Sequence, residues 1–123
     1  MPALTRKSFQ EPDEVRTPPL TRVDVVTLGD AKCARMTMQP GWHWAEHIQP
    51  VANTETCQLH HVGTVLSGRM RVSHPDTGEI EVGPGDAYEF QPGHDAWVVS
   101  DEPFVGLEFE PTAAEAYAKM AGT

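Results

Sequence analysis

An all-β fold is the class this chain predicts, arranged as an antiparallel jelly-roll barrel. Three observations carry that expectation. Eleven Pro and ten Gly are scattered among short apolar runs, which is the punctuation of tight turns rather than of long helices. Between the turns, apolar and polar residues alternate with the period of two that a strand requires. A chain of 123 residues supports one core, so the strands must close on one another, and closure also removes exposed sheet edges.

The elements follow in order. Residues 1–21 mix charge with Pro12, Pro18 and Pro19 and show no period. They read as an extended arm, either mobile or laid across the barrel or a partner subunit. The barrel is expected over residues 22–111. It opens with Val23, Val25 and Thr27 alternating with Asp24, Val26 and Leu28, and Gly29-Asp30 then turns the chain. Ala34, Met36 and Met38 share one face of the next run, with Cys33, Arg35 and Thr37 on the other. After Pro40-Gly41, Trp42 to His47 reads as a short strand. Ile48 to Thr56, which contains Pro50 and Asn53, reads as a loop.

Further strands are expected at 57–66, 69–73, 79–82, 87–90, 96–100 and 104–110. Turn chemistry separates them at Ser67-Gly68, Asp76-Thr-Gly78, Gly83-Pro-Gly85, Pro92-Gly93 and Asp101-Glu-Pro103. Residues 112–123 form a short C-terminal helix and tail in this reading. Thr112 serves as cap, Glu115 stands three residues on, and alanine fills the interior up to Met120.

Charge narrows the function. Nine basic residues against eighteen acidic ones leave a formal charge of −9, which argues against a nucleic-acid surface, because phosphate binding relies on Lys and Arg. A hydrophobic content of 39% argues against acidic disorder. No run approaches the ~18 apolar residues of a spanning helix, and the N-terminus lacks the apolar core of a signal peptide. The expected location is the cytoplasm, with Cys33 and Cys57 as free thiols.

Two segments carry the candidate chemistry. In Cys57-Gln-Leu-His-His-Val-Gly-Thr-Val-Leu-Ser-Gly68, His61 stands seven residues before a turn glycine. The second segment, Gly85-Asp-Ala-Tyr-Glu-Phe-Gln-Pro-Gly-His94, runs from a glycine turn through a strand to a second turn and a histidine. In this order, the two segments resemble the paired signature motifs of the cupin superfamily, and the resemblance covers roughly residues 22–110. The likeness is to small, stand-alone bacterial cupins, many of which bind one divalent metal inside the barrel.

The resemblance places His61 where the family has a glutamate and Cys57 where the second histidine of its pair would stand. Gly41-Trp-His-Trp-Ala-Glu-His47 takes the place of the first motif strand. In the second motif Gly85, Asp86 and Gly93 align, Ala96 stands at the usual histidine position, and His94 precedes it by two residues, a shift that keeps a strand residue on the same face. The implied ligands are His47, Cys57, His61 and His94, with His43 as a further candidate.

Strand alternation bears on the same residues. It puts His43, Ala45 and His47 on one face, and Cys57, Leu59, His61 and Gly63 on one face. If the His47 and His61 faces look inward, imidazoles and a thiol converge on a site suited to Fe, Zn, Ni or Cu. His60 points the other way, and His74 belongs to an exposed hairpin tip. Trp42, Trp44 and Trp97 are expected to pack in the core or an interface. Glu46 and Asp95 are solvated carboxylates or acceptors for a ligand imidazole. Gly83-Pro-Gly85-Asp86 lacks the helix start of a phosphate loop, and no nucleophile elbow is present.

The function implied is a metal-binding barrel with a small-molecule pocket, acting as a dioxygenase or isomerase. The alternative is a non-catalytic ligand-binding or sensor module. A homodimer is expected, as is usual for proteins resembling single-domain cupins.

Overall fold

The computed structural model describes residues 3–52 and 54–109; the helix expected over 112–120 lies outside the described residues. Nine strands and two short helices follow in the order β1 (Glu14–Arg16), β2 (Thr21–Leu28), β3 (Ala31–Met38), α1 (Trp44–His47), α2 (Gln49–Ala52), β4 (His61–Ser67), β5 (Met70–His74), β6 (Gly78–Val82), β7 (Ala87–Phe90), β8 (Asp95–Val98) and β9 (Phe104–Glu108). Every pairing is antiparallel. One sheet runs β1-β2-β3-β9-β4-β7 and the other β6-β5-β8. The all-β, antiparallel expectation holds among the described residues. None of their helices is long and apolar enough to cross a membrane.

Alternation decides what faces inward. Along β9, Phe104, Gly106 and Glu108 are buried while Val105 and Leu107 are half-buried; along β4, His61, Gly63 and Val65 take the buried parity. Their faces meet Met36, Met38, Met70, Trp42 and Trp44 in one apolar core. The turn between β4 and β5 needs its glycine. Gly68 adopts φ +75°, and a Cβ there would collide with the backbone of Pro103 and Phe104.

Two segments depart from expectation. Trp42 to His47 is not a strand: His43 is extended, and Trp44–His47 is a helical turn closed by His47 N–H to His43 C=O at 2.9 Å and Ile48 N–H to Trp44 C=O at 2.9 Å. The same residues satisfy a helical period, because Trp44 and Ile48, four apart, are both fully buried. Within 48–56, read as loop, Gln49–Ala52 forms α2.

The arm contains a strand. β1 pairs with β2 through Glu14, Val15 and Arg16, and the Asp13 carboxylate accepts the Thr27 N–H at 2.7 Å. Phe9 lies with its ring 5.5 Å from the Arg35 guanidinium, and its carbonyl accepts from that group. Under this cover Asp24 is fully buried, held by Arg22 at 2.9 Å and Arg35 at 3.1 Å. Val23 and Val25 on one face of β2 and Asp24 and Val26 on the other are therefore all buried.

Phe104 fills the centre of the core and backs onto the Gly68 turn. Phe104→Ala is expected to lower the free energy of unfolding by about 3–5 kcal/mol, read from urea denaturation with an unchanged slope.

Candidate metal centre

The register of three neighbouring strands builds the site. Gly63 of β4 pairs with Tyr88 of β7 on one side and with Glu108 of β9 on the other. The middle position of that row has no side chain, so the Tyr88 hydroxyl passes over it and donates to Glu108 Oε2 at 2.7 Å. A Cβ on Gly63 would lie 2.9 Å from that hydroxyl. In the next row His61 pairs with Phe90, and its Nδ1 meets Glu108 Oε1 at 2.7 Å. An ionised carboxylate only accepts, so Nδ1 carries the proton and Nε2 faces away from Glu108.

Nε2 of His61 lies 3.5 Å from the Cys57 thiol. Cys57 precedes β4 and is tied to the start of β8: its N–H donates to the His94 carbonyl at 2.9 Å, and its carbonyl accepts the Gly93 N–H at 2.7 Å. That bridge brings His94 in. The His94 Nδ1–H donates to the Gln91 carbonyl at 2.7 Å, leaving Nε2 as the lone-pair nitrogen. Ligand atoms of Cys57, His61 and His94, all buried, lie within 4.8 Å of one another.

Spacing and tautomers fit a metal ion. Bonds of about 2.3 Å to sulfur and about 2.0 Å to nitrogen at a tetrahedral angle hold those two atoms about 3.5 Å apart. Both imidazoles have Nδ1 anchored by an oxygen acceptor, the arrangement that orients a metal-ligating histidine.

Electrostatics prepare the ligands. Burial opposes a charge on His61, but the Glu108 carboxylate, with hydrogen bonds from Cys57 and Glu108, outweighs it and raises the imidazole to about 10. Burial pushes the Cys57 thiol up, yet the hydrogen bonds of His61 and His94 outweigh it and bring the thiol down to about 6. Burial, then the charge of Glu108, raises Tyr88 and keeps its hydroxyl a donor. A metal cation held by Cys57 and His61 would have to displace the His61 proton and would meet a thiolate.

His47 is not brought to this cluster. It sits on α1, and its Nδ1 accepts the His43 N–H at 3.0 Å; the helical turn, replacing the expected strand, breaks the alternation that would have aimed it inward. His43 is elsewhere too: its Nε2 meets Asp95 at 2.7 Å, its Nδ1 meets Glu46 at 3.4 Å, and its ring stacks on Trp97 at 4.9 Å. Asp95 and Glu46 thus hold His43 rather than a ligand of the cluster. His74 is only 23% exposed and reaches across to the Pro92 carbonyl at 3.0 Å, tying the β5–β6 hairpin to the turn that carries His94.

Sequence reasoning missed Glu108 and Tyr88. Parity was the available signal, since Glu108 stands two and four residues beyond Gly106 and Phe104 on a core-facing strand. A carboxylate there must find partners inside.

Two spaces adjoin the cluster. The lumen encloses about 20 Å³ among Met36, Met38, Trp42, Trp44, Tyr88 and Glu108, with His61 and His94 in its wall. An outer cleft of about 440 Å³ is lined by residues including His74, Asp76, Ile80, Glu89, Phe90 and His94. Phe90 and His94 line both.

No protein-family model and no curated protein matches the chain. Solved structures do. The polyketide cyclase RemF from Streptomyces resistomycificus is 19% identical, with 89% of this chain and 80% of that one covered and a TM-score of 0.62. A sugar phosphate isomerase of the cupin superfamily from Silicibacter pomeroyi is 15% identical, with 85% and 74% covered and a TM-score of 0.61. The cupin domain of an XRE-family transcriptional regulator from Enterobacter cloacae is 14% identical, with 73% and 94% covered and a TM-score of 0.52. The fold is the cupin fold.

In metal-free protein the imidazolium–thiolate pair spans a defined window. The Cys57 pKa is depressed, so its contribution to stability is lost as pH falls through about 6; the His61 pKa is raised, so its contribution is lost as pH rises through about 10. Thiolate ultraviolet absorbance in a Cys33→Ser background is expected to titrate near pH 6 and to move above the ordinary thiol value of about 8.5 in His61→Ala. An unshifted thiol in the wild-type background contradicts the coupling.

Proposed function

We propose that Cys57, His61 and His94 bind one divalent transition metal in the lumen, and that the chain acts there as a dioxygenase or isomerase on a small molecule. The convergence of one thiol and two imidazoles, each ring anchored through Nδ1, carries this proposal. Iron, zinc, nickel and copper suit the donors, and the thiolate favours the softer ions. Such an ion supplies Lewis acidity at an open coordination position.

The chain's own residues do the rest. Glu108 fixes the His61 tautomer, and Tyr88 fixes Glu108. The lumen of about 20 Å³ holds little more than one water, so an organic substrate is accommodated in the outer cleft, with its reacting group directed past Phe90 and His94. His74, at the back of that cleft, holds the turn from which His94 projects.

A ligand-binding or sensor module is the second reading. The likeness to a transcriptional regulator's cupin domain favours it, and it would use the cleft without turnover. We further place the chain in the cytoplasm as a homodimer; Val62 and Leu66, exposed on the outward face of β4, support association through that face.

Elemental analysis of protein purified without a histidine tag tests the metal. About one equivalent is expected in wild type and in His47→Ala, and little in His61→Ala or His94→Ala, with affinity falling as pH drops through about 10 and again through about 6, where the His61 imidazole and then the Cys57 thiolate take up protons that compete with the metal. Equal metal in wild type and in a folded His61→Ala protein refutes the site, and metal-free wild type hands the lead to the sensor reading.

A further inference from the structure

Trp42 and Trp44 are 3% and 2% exposed, and both indoles line the lumen. Among the described residues, neither indole N–H has a hydrogen-bond partner. Buried donors of this kind are costly unless an acceptor meets them. The Glu108 carboxylate in the lumen wall accepts the His61 Nδ1–H on one oxygen and the Tyr88 hydroxyl on the other, and no bond from either indole.

The space the two indoles share is small. About 20 Å³ admits a group of one or two heavy atoms. Methionine sulfurs and the Phe104 ring complete the wall and offer no strong acceptor or donor of their own.

We infer that Trp42 and Trp44 form a paired-donor pocket for a single acceptor atom of a water-sized ligand inside the barrel. The two N–H groups hold that atom against the His61–His94 side of the lumen. The indoles are binding residues in this assignment, and their role extends beyond filling the core. The pocket shares the lumen with the proposed metal but does not require it, since both donors are the protein's own indoles.

The probe is sodium fluoride, a one-atom acceptor, titrated at constant ionic strength and followed by the indole N–H signals in proton–nitrogen correlation spectra of the full chain. Trp97, half-buried and stacked on His43, is the internal control. The Trp42 and Trp44 signals are expected to shift downfield together and saturably while Trp97 stays in place. Trp42→Phe keeps the ring and removes the donor, and should weaken fluoride about tenfold, as loss of one charge-assisted hydrogen bond does; Trp44→Phe repeats the test should that variant not fold. Acetate is too large for the lumen and should leave both signals unmoved.

Three results overturn the inference: no saturable shift, a common shift of all three indoles, or acetate competing with fluoride. Titrations on metal-free and zinc-loaded protein separate it from the metal proposal. Indoles that respond in protein unable to take up zinc leave this pocket standing and remove the metal; zinc bound tightly beside silent indoles does the reverse.

Discussion

The interior depends on the buried carboxylate of Glu108. Removing an ionised carboxylate from water costs several kcal/mol unless partners replace its hydration, and at 3% exposure Glu108 has no recourse to solvent. The His61 imidazole and the Tyr88 hydroxyl take one oxygen each at 2.7 Å. Both contacts are set by strand register, with Tyr88, Gly63 and Glu108 in one row and His61 in the next. A one-residue slip of β9 would turn Glu108 outward and Leu107 inward, undoing both contacts at once. The register of the larger sheet and the orientation of the His61 imidazole are therefore one constraint.

From Glu108 the constraint passes outward. A His61 ring held through Nδ1 presents Nε2 to Cys57, and the Cys57 backbone is in turn bonded to His94 and Gly93. The thiol and the second imidazole come from irregular backbone, and the bridge between them does for these loops what the ladder does for His61. His74 adds a tie from the far hairpin to Pro92. The cluster is thus braced from both sheets, as a site requiring fixed ligand geometry must be.

The outer face of the larger sheet is handled differently. Its end next to β2 would be a bare edge, open to pairing with another chain. Here the arm supplies β1 as a further strand and lays Phe9 over Arg35. Asp24 is buried beneath this cover between two arginines, so residues with no internal period of their own decide whether a charged residue of β2 lies in water or in protein.

Much of this was legible in the chain. Alternation and turn chemistry located β2 through β9 to within a few residues, because a strand half-buried against a core must carry its apolar residues at every second position. Cys57, His61 and His94 were candidates through the resemblance to the cupin motifs, with strand parity in support. Trp42 to His47 misled, since aromatic and histidine residues at alternate positions also satisfy a helical turn when Trp44 and Ile48 bury together. His47 was lost as a ligand candidate for that reason. Glu108 was overlooked although its parity marked it, and Tyr88 was placed only as one residue of the strand expected at 87–90.

Local order along the chain determined which residues face inward, where the turns fall and that thiol and imidazole share a barrel, because these follow from backbone periods of two to four residues. Tertiary structure alone decided that Tyr88 reaches Glu108 across Gly63, that the loop of Cys57 is bridged to the turn of His94, and that two indoles share a lumen with room for about one water. Those outcomes depend on contacts between residues twenty to fifty positions apart, whose distances are set by how the two sheets close and not by any period within a strand.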